Sequence, residues 1–114
     1  MVSQRILRGS WRRVGRLTPL TAHLRSRAVR LRPGARMPWH TTGSREELVI
    51  VVHGGVVVET RLPASGYLRG QAGAARRWRR RAVSGGQTLF LPPHVEHQVV
   101  NVGRGPARYI YVTG

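Results

Sequence analysis

Apolar residues occur along this chain in short runs broken at close intervals by glycine and proline, and no stretch carries the period of a long helix. Runs rich in β-branched residues predict strands at 28–31, 37–40, 47–52, 56–61, 79–83, 88–91, 96–102 and 107–112. Turn signals fall between them at Pro33-Gly34, His53-Gly54-Gly55, Ser84-Gly85-Gly86 and from Gly103 to Pro106. Short strands at close, fairly even spacing predict an all-β sandwich or barrel.

Two stretches depart from this rhythm. In residues 1–23, Ile6, Leu7, Trp11, Val14 and Leu17 could share one helix-like apolar face, which Gly9 and Gly15 weaken, so this part reads as an irregular basic N-terminal segment before a domain at 24–114. Residues 63–75 are small, polar and glycine-rich and read as an extended loop, with Tyr67 and Leu68 its only packing candidates.

A chain of 114 residues has room for one core, burying roughly 65% of the unfolded surface. Cysteine is absent, which excludes disulfides and thiolate metal sites. No apolar run approaches the ~20 residues of a membrane span, so a soluble, cytoplasmic protein with no membrane partner is expected. The start of the chain is arginine-rich, with no acidic residue before Glu46, and loosely resembles an organelle presequence. The same composition continues downstream, which weakens that reading.

The formal charge is +16 and every basic residue is arginine, whereas aspartate is missing and only four glutamates remain. Codon bias accounts for abundant arginine more readily than for the shortage of acids. The densest cluster, Arg76, Arg77, Trp78, Arg79, Arg80 and Arg81, interleaves an aromatic ring with guanidinium groups, as single-stranded nucleic-acid surfaces do. A solvated hairpin is the stronger reading of so short a cluster.

The candidate chemistry lies in two separated stretches. Gly34 is followed after five residues by His40, then by Thr42, by Glu47 and, six residues on, by Gly54. The second stretch runs from Gly86 through five residues to Pro92, then His94, His97 and Asn101. Side chains alternate along a strand, so Glu47, Val49 and Val51 share a face, with an apolar floor beneath the carboxylate, and Glu46 points the other way, towards an arginine partner. A turn-like interruption at Gly43-Ser44-Arg45 lets Glu47 lie across from His40, and His97 repeats the arrangement on another strand. Two imidazoles and one carboxylate bind divalent first-row metals and leave coordination positions open. A buried Glu47 needs a positive partner, which a metal or an arginine could supply.

These stretches resemble the two motifs of the cupin superfamily, G-x5-H-x-H-x(3,4)-E-x6-G and G-x5-P-x-G-x2-H-x3-N. The resemblance covers about residues 24–112 and implies a double-stranded β-helix, the cupin jelly-roll barrel, with His40, Glu47 and His97 as metal ligands. It departs at Thr42, which stands where the second histidine belongs, and at His94, which stands for a glycine. Threonine is a poor ligand, so the set falls to three donors. Iron, manganese, nickel and zinc are all compatible with the donors. Thr42, Arg36, Arg45 and the rim residue His94 are the weaker candidates for a substrate pocket, and Asn101 is assigned to hydrogen bonding between strands or turns. His23 and His53 are not ligand candidates.

Fold does not transmit activity, so several functions stay open. The first is a metal-dependent enzyme acting on a small anionic or hydroxylated molecule, and the second is a binding module for a small acid or sugar without turnover. The third is nucleic-acid binding through the Trp78 cluster. Cupins commonly pair as homodimers, and the strand from Arg108 to Val112 offers aromatics for such a contact.

Overall fold

The computed structural model describes residues 21–61 and 78–114. The proposed apolar face of Ile6, Leu7, Trp11, Val14 and Leu17, the loop at 63–75 and the arginines Arg76 and Arg77 lie outside the described residues. The described chain forms eight strands: β1 (Arg25–Leu31), β2 (Arg36–Thr41), β3 (Glu47–His53), β4 (Gly55–Arg61), β5 (Trp78–Ser84), β6 (Thr88–Leu91), β7 (Glu96–Val100) and β8 (Ala107–Thr113). Each overlaps a strand expected from the sequence.

They build two antiparallel four-stranded sheets, ordered β1-β8-β3-β6 and β2-β7-β4-β5. This is the jelly-roll arrangement expected of a cupin. Consecutive strands mostly lie in opposite sheets, so the chain crosses the barrel repeatedly and brings distant residues together. One consequence corrects the sequence reading: β2 and β3 are not hairpin neighbours. β2 pairs with β7, and β3 pairs with β6 and β8, so His40 and Glu47 come from opposite sheets and meet across the interior.

The core is the inner face of both sheets. Val49 and Val51 of β3 and Tyr109 of β8 face Val56, Val58 and Val99 of the other sheet, all at most 2% exposed. Burying each such side chain contributes about 1.5–3 kcal/mol. Alternation on β3 is regular, with Glu47, Val49 and Val51 buried and Leu48 and Val52 exposed. The outer face of this sheet is also apolar. Phe90, Leu48 and Val112 stand in one row across it, and Ile50, Ile110 and Ala28 in the next.

Turns at one end of the barrel are fixed by two residues. Gly54 has φ +72°, and a Cβ there would lie 2.6 Å from the Pro106 carbonyl oxygen, so only glycine fits. Asn101 is fully buried. Its Nδ2 donates to the carbonyls of Leu31 and Gly105, and its Oδ1 accepts from the Gly103 N–H. All its amide groups near the turn are thus engaged, which is the structural role expected from the sequence.

Candidate metal centre

His40 reaches the interior through an irregularity in β2. Met37 opposes Val99 and His40 opposes His97, so three steps along β2 match two along β7. The extra residue is a β-bulge at Pro38-Trp39. Proline has no N–H to donate to the ladder and suits such a position. Strict alternation would set Met37 and His40 on opposite faces; the bulge returns both to the inside. The rings of His40 and His97 then lie 4.0 Å apart between centroids.

Glu47 enters from the facing sheet, with His97 fully buried and Glu47 nearly so. One donor atom from each of His40, Glu47 and His97 lies within 4.8 Å of the others. Donors at about 2.0–2.2 Å from a shared cation stand roughly 3.0–3.5 Å apart, so the widest pair must close by about 1 Å or more to complete the set.

The hydrogen bonds define which atoms point inward. His40 Nδ1 lies 2.8 Å from the Pro38 carbonyl oxygen, and His97 Nδ1 lies 3.3 Å from that of Val95. A carbonyl only accepts, so each Nδ1 carries a proton and each Nε2 turns away from the backbone. His97 Nε2 lies 3.1 Å from Glu47 Oε2, within ion-pair range, yet it has no hydrogen-bond partner. The distance is short but the alignment is not that of an N–H···O bond. An imidazole nitrogen and a carboxylate buried this close call for positive charge, carried by the imidazole itself or by a cation between them. The donor set therefore fits a divalent cation on the evidence of its own geometry.

A cavity of about 200 Å³ opens onto His40 and Glu47, walled by Met37, Trp39, Tyr109 and Tyr111. His40 is exposed and stands at its entrance. Tyr109 is 1% exposed, and its hydroxyl has no hydrogen-bond partner. Burial, with further contributions from the Glu47 carboxylate and Tyr111, holds that phenol well above its ordinary pKa, so it stays a neutral donor.

None of the four weaker pocket candidates lines this cavity. The Thr42 hydroxyl donates to the Pro92 carbonyl and accepts from the Val95 N–H, clipping the β2–β3 connection to the β6–β7 connection. Arg36 is exposed on β2. Arg45 lies beside His23 and Gly114, against a different hollow. His94 is exposed with φ +60°, a left-handed conformation that glycine adopts freely, and its N–H donates to the Gly43 carbonyl. Glu46 has no ion pair among the described residues; the arginine–carboxylate pair there is Arg61–Glu96.

Tyr109 and Tyr111, the aromatics the sequence offers for a homodimer contact, line the cavity instead, Tyr109 buried and Tyr111 half-buried. The signal was available in parity: Ala107, Tyr109 and Tyr111 alternate with Arg108, Ile110 and Val112. Met37 and Trp39 gave no such signal, because the bulge breaks the alternation.

Comparison with known proteins agrees with this architecture. The cupin family profile matches residues 14–114, and the chain belongs to that family. Among solved structures it is similar to oxalate oxidase, with a TM-score of 0.64 and 22% identity over 79% of this chain and 41% of that one. It is also similar to the protein TT1209 from Thermus thermophilus, with a TM-score of 0.63 and 20% identity over 82% of this chain and 74% of that one. The cupin domain of Cnp3 from Schizosaccharomyces pombe superposes with a TM-score of 0.62 at 12% identity, over 81% of this chain and 52% of that one. The chain spans half or less of the length of the first structures it matches. No curated protein matches the sequence significantly.

Proposed function

We propose that this cupin holds one divalent metal through His40, Glu47 and His97 and binds a small anionic or hydroxylated molecule in the cavity beside it. The observation that carries the reading is the buried His97 Nε2, 3.1 Å from a carboxylate oxygen and without a hydrogen bond. When bound, the metal supplies Lewis acidity or a redox partner at the positions left open by three protein donors.

The chain's own groups do the rest. The Pro38 and Val95 carbonyls hold the imidazoles in one tautomer. Met37, Trp39 and Tyr111 give the cavity apolar walls, and the Tyr109 hydroxyl offers a donor to a bound acid. A volume near 200 Å³ is below the range usual for drug-sized ligands and favours a ligand of few heavy atoms. Glycolate is a suitable probe, being a small hydroxy acid that oxalate oxidase, of the same fold, accepts as a substrate analogue. Titrating glycolate into Mn²⁺-loaded protein should alter the Mn²⁺ paramagnetic resonance spectrum saturably; an unchanged spectrum defeats the ligand assignment.

A metal-free binding module is the second reading, because three donors hold a cation less firmly than four. The nucleic-acid reading is weaker. Trp78 packs edge-on against Trp39 at 5.1 Å, and Arg61 lies 4.1 Å over Trp39 while paired with Glu96. One edge of the half-exposed Trp78 is thus taken up by packing on Trp39. Self-association, if it occurs, has the apolar outer face around Leu48 and Phe90 as its natural surface, 40% and 53% exposed. Sedimentation at high and low salt tests this, since screening the +16 charge should strengthen a dimer.

A further inference from the structure

We propose that a groove along the seam between the edge strands β5 and β6 binds an amphiphilic anion, a carboxylate carried on a short apolar body. The proposal starts from the face of β5 on which its arginines lie. Val83 is buried opposite Val56, and the same register sets Arg81 opposite the fully buried Val58 and Arg79 opposite Thr60. By register Arg79 and Arg81 lie on the same side of β5 as the buried Val83, though on this edge strand both are exposed. Sequence alternation could not reveal this, because every residue from Arg79 to Arg81 is basic.

The groove they line has a volume of about 480 Å³, more than twice that of the cavity over His40 and within the size range of small-molecule pockets. Its opposite wall is apolar, formed by Leu89, Leu91 and Val95, with Phe90 at 53% exposure on the rim. No glutamate lines it. Glu96 is engaged by Arg61, and Glu59 stands in register with Arg80 on the outer face. Among the described residues neither Arg79 nor Arg81 has a carboxylate partner. Two unpaired guanidiniums facing an apolar wall match a ligand with a planar anionic head and a hydrocarbon body. An inward charge on an edge strand can also serve only to block strand addition, a role that needs no apolar wall opposite.

None of the three metal donors lines the groove, so this site stands or falls independently of the metal centre. The test is calorimetric titration of the full chain, freed of metal with chelator, using octanoate, octanamide and acetate as probes. Octanoate is expected to bind at least about tenfold more tightly than either of the others, because only it combines head and tail. Replacing both arginines, Arg79→Gln with Arg81→Gln, should weaken octanoate binding by about tenfold or more, and Arg81→Gln alone should weaken it measurably. The paired control Arg30→Gln with Arg104→Gln removes the same charge from exposed positions outside the groove and should leave binding unchanged. Octanoate binding no tighter than octanamide, no saturation into the millimolar range, or equal loss in the control pair would each overturn the proposal. So would a double variant that aggregates more readily yet binds octanoate as before, since the arginines would then guard the edge and nothing more.

Discussion

His97 and Glu47 meet across the two sheets with 3.1 Å between Nε2 and Oε2, and no hydrogen bond joins them. His97 lies opposite His40 on one side and Thr60 on the other, so it sits at the centre of its sheet. Its other nitrogen faces a backbone carbonyl. Both side chains are buried, and Glu47 also lines the cavity beneath His40.

Thr42 is predicted to matter for stability and not for metal binding. Thr42→Val keeps the shape but loses both the bond to Pro92 and the one from Val95, leaving the latter's N–H unpaired. Denaturant unfolding should register a loss of about 1–3 kcal/mol, whereas Thr42→Ser should retain most of the stability. Thr42→His, which would restore the family's donor type at this position, should carry a similar penalty.

Asn101→Asp replaces a two-donor amide with an acceptor facing the carbonyls of Leu31 and Gly105. The expected cost is about 3 kcal/mol or more, readable as a large drop in melting temperature. Stability equal to that of the native chain would show that these bonds do not fix the turn.

His94→Gly should stabilise the protein by about 0.5 kcal/mol. The left-handed φ of +60° strains histidine and not glycine, although glycine's greater freedom in the unfolded chain offsets part of the gain. The side chain is exposed and outside the cavity, so metal affinity should not change.

Tyr109 provides a pH dependence in the metal-free protein. Its folded pKa is raised, so the folded state keeps the phenol proton at pH values where the unfolded chain, ionising near 10, has released it. Unfolded chains then bind fewer protons than folded ones, and stability falls as pH rises above about 10. Tyr109→Phe removes a buried hydroxyl without a partner. Its unfolding free energy should match or slightly exceed that of the native chain at neutral pH and decline less in alkali.

Much of this was legible in the sequence, for identifiable reasons. Short β-branched runs between glycine and proline turns gave the strands, and the spacing of His40, Glu47 and His97 gave the donor trio. Parity on β3 gave the buried row of Glu47, Val49 and Val51. The sheet partners were not legible, because local pattern does not say whether β3 returns beside β2 or crosses to the facing sheet. The bulge at Pro38-Trp39 was hidden for the same reason: it exists only relative to β7. Thr42 looked like a depleted ligand position, and its partners lie some fifty residues away. On β5 the uniform run of arginine left no alternation from which to read a face.

The central claim is that His40, Glu47 and His97 share one divalent cation. The most direct measurement is calorimetric titration of Mn²⁺ or Zn²⁺ into chelator-treated native protein and into folded His97→Ala. The native chain should take up one equivalent, and His97→Ala should bind about 100-fold more weakly or not at all. A native chain that takes up no metal, or a variant that binds it as well as the native chain, would contradict the account.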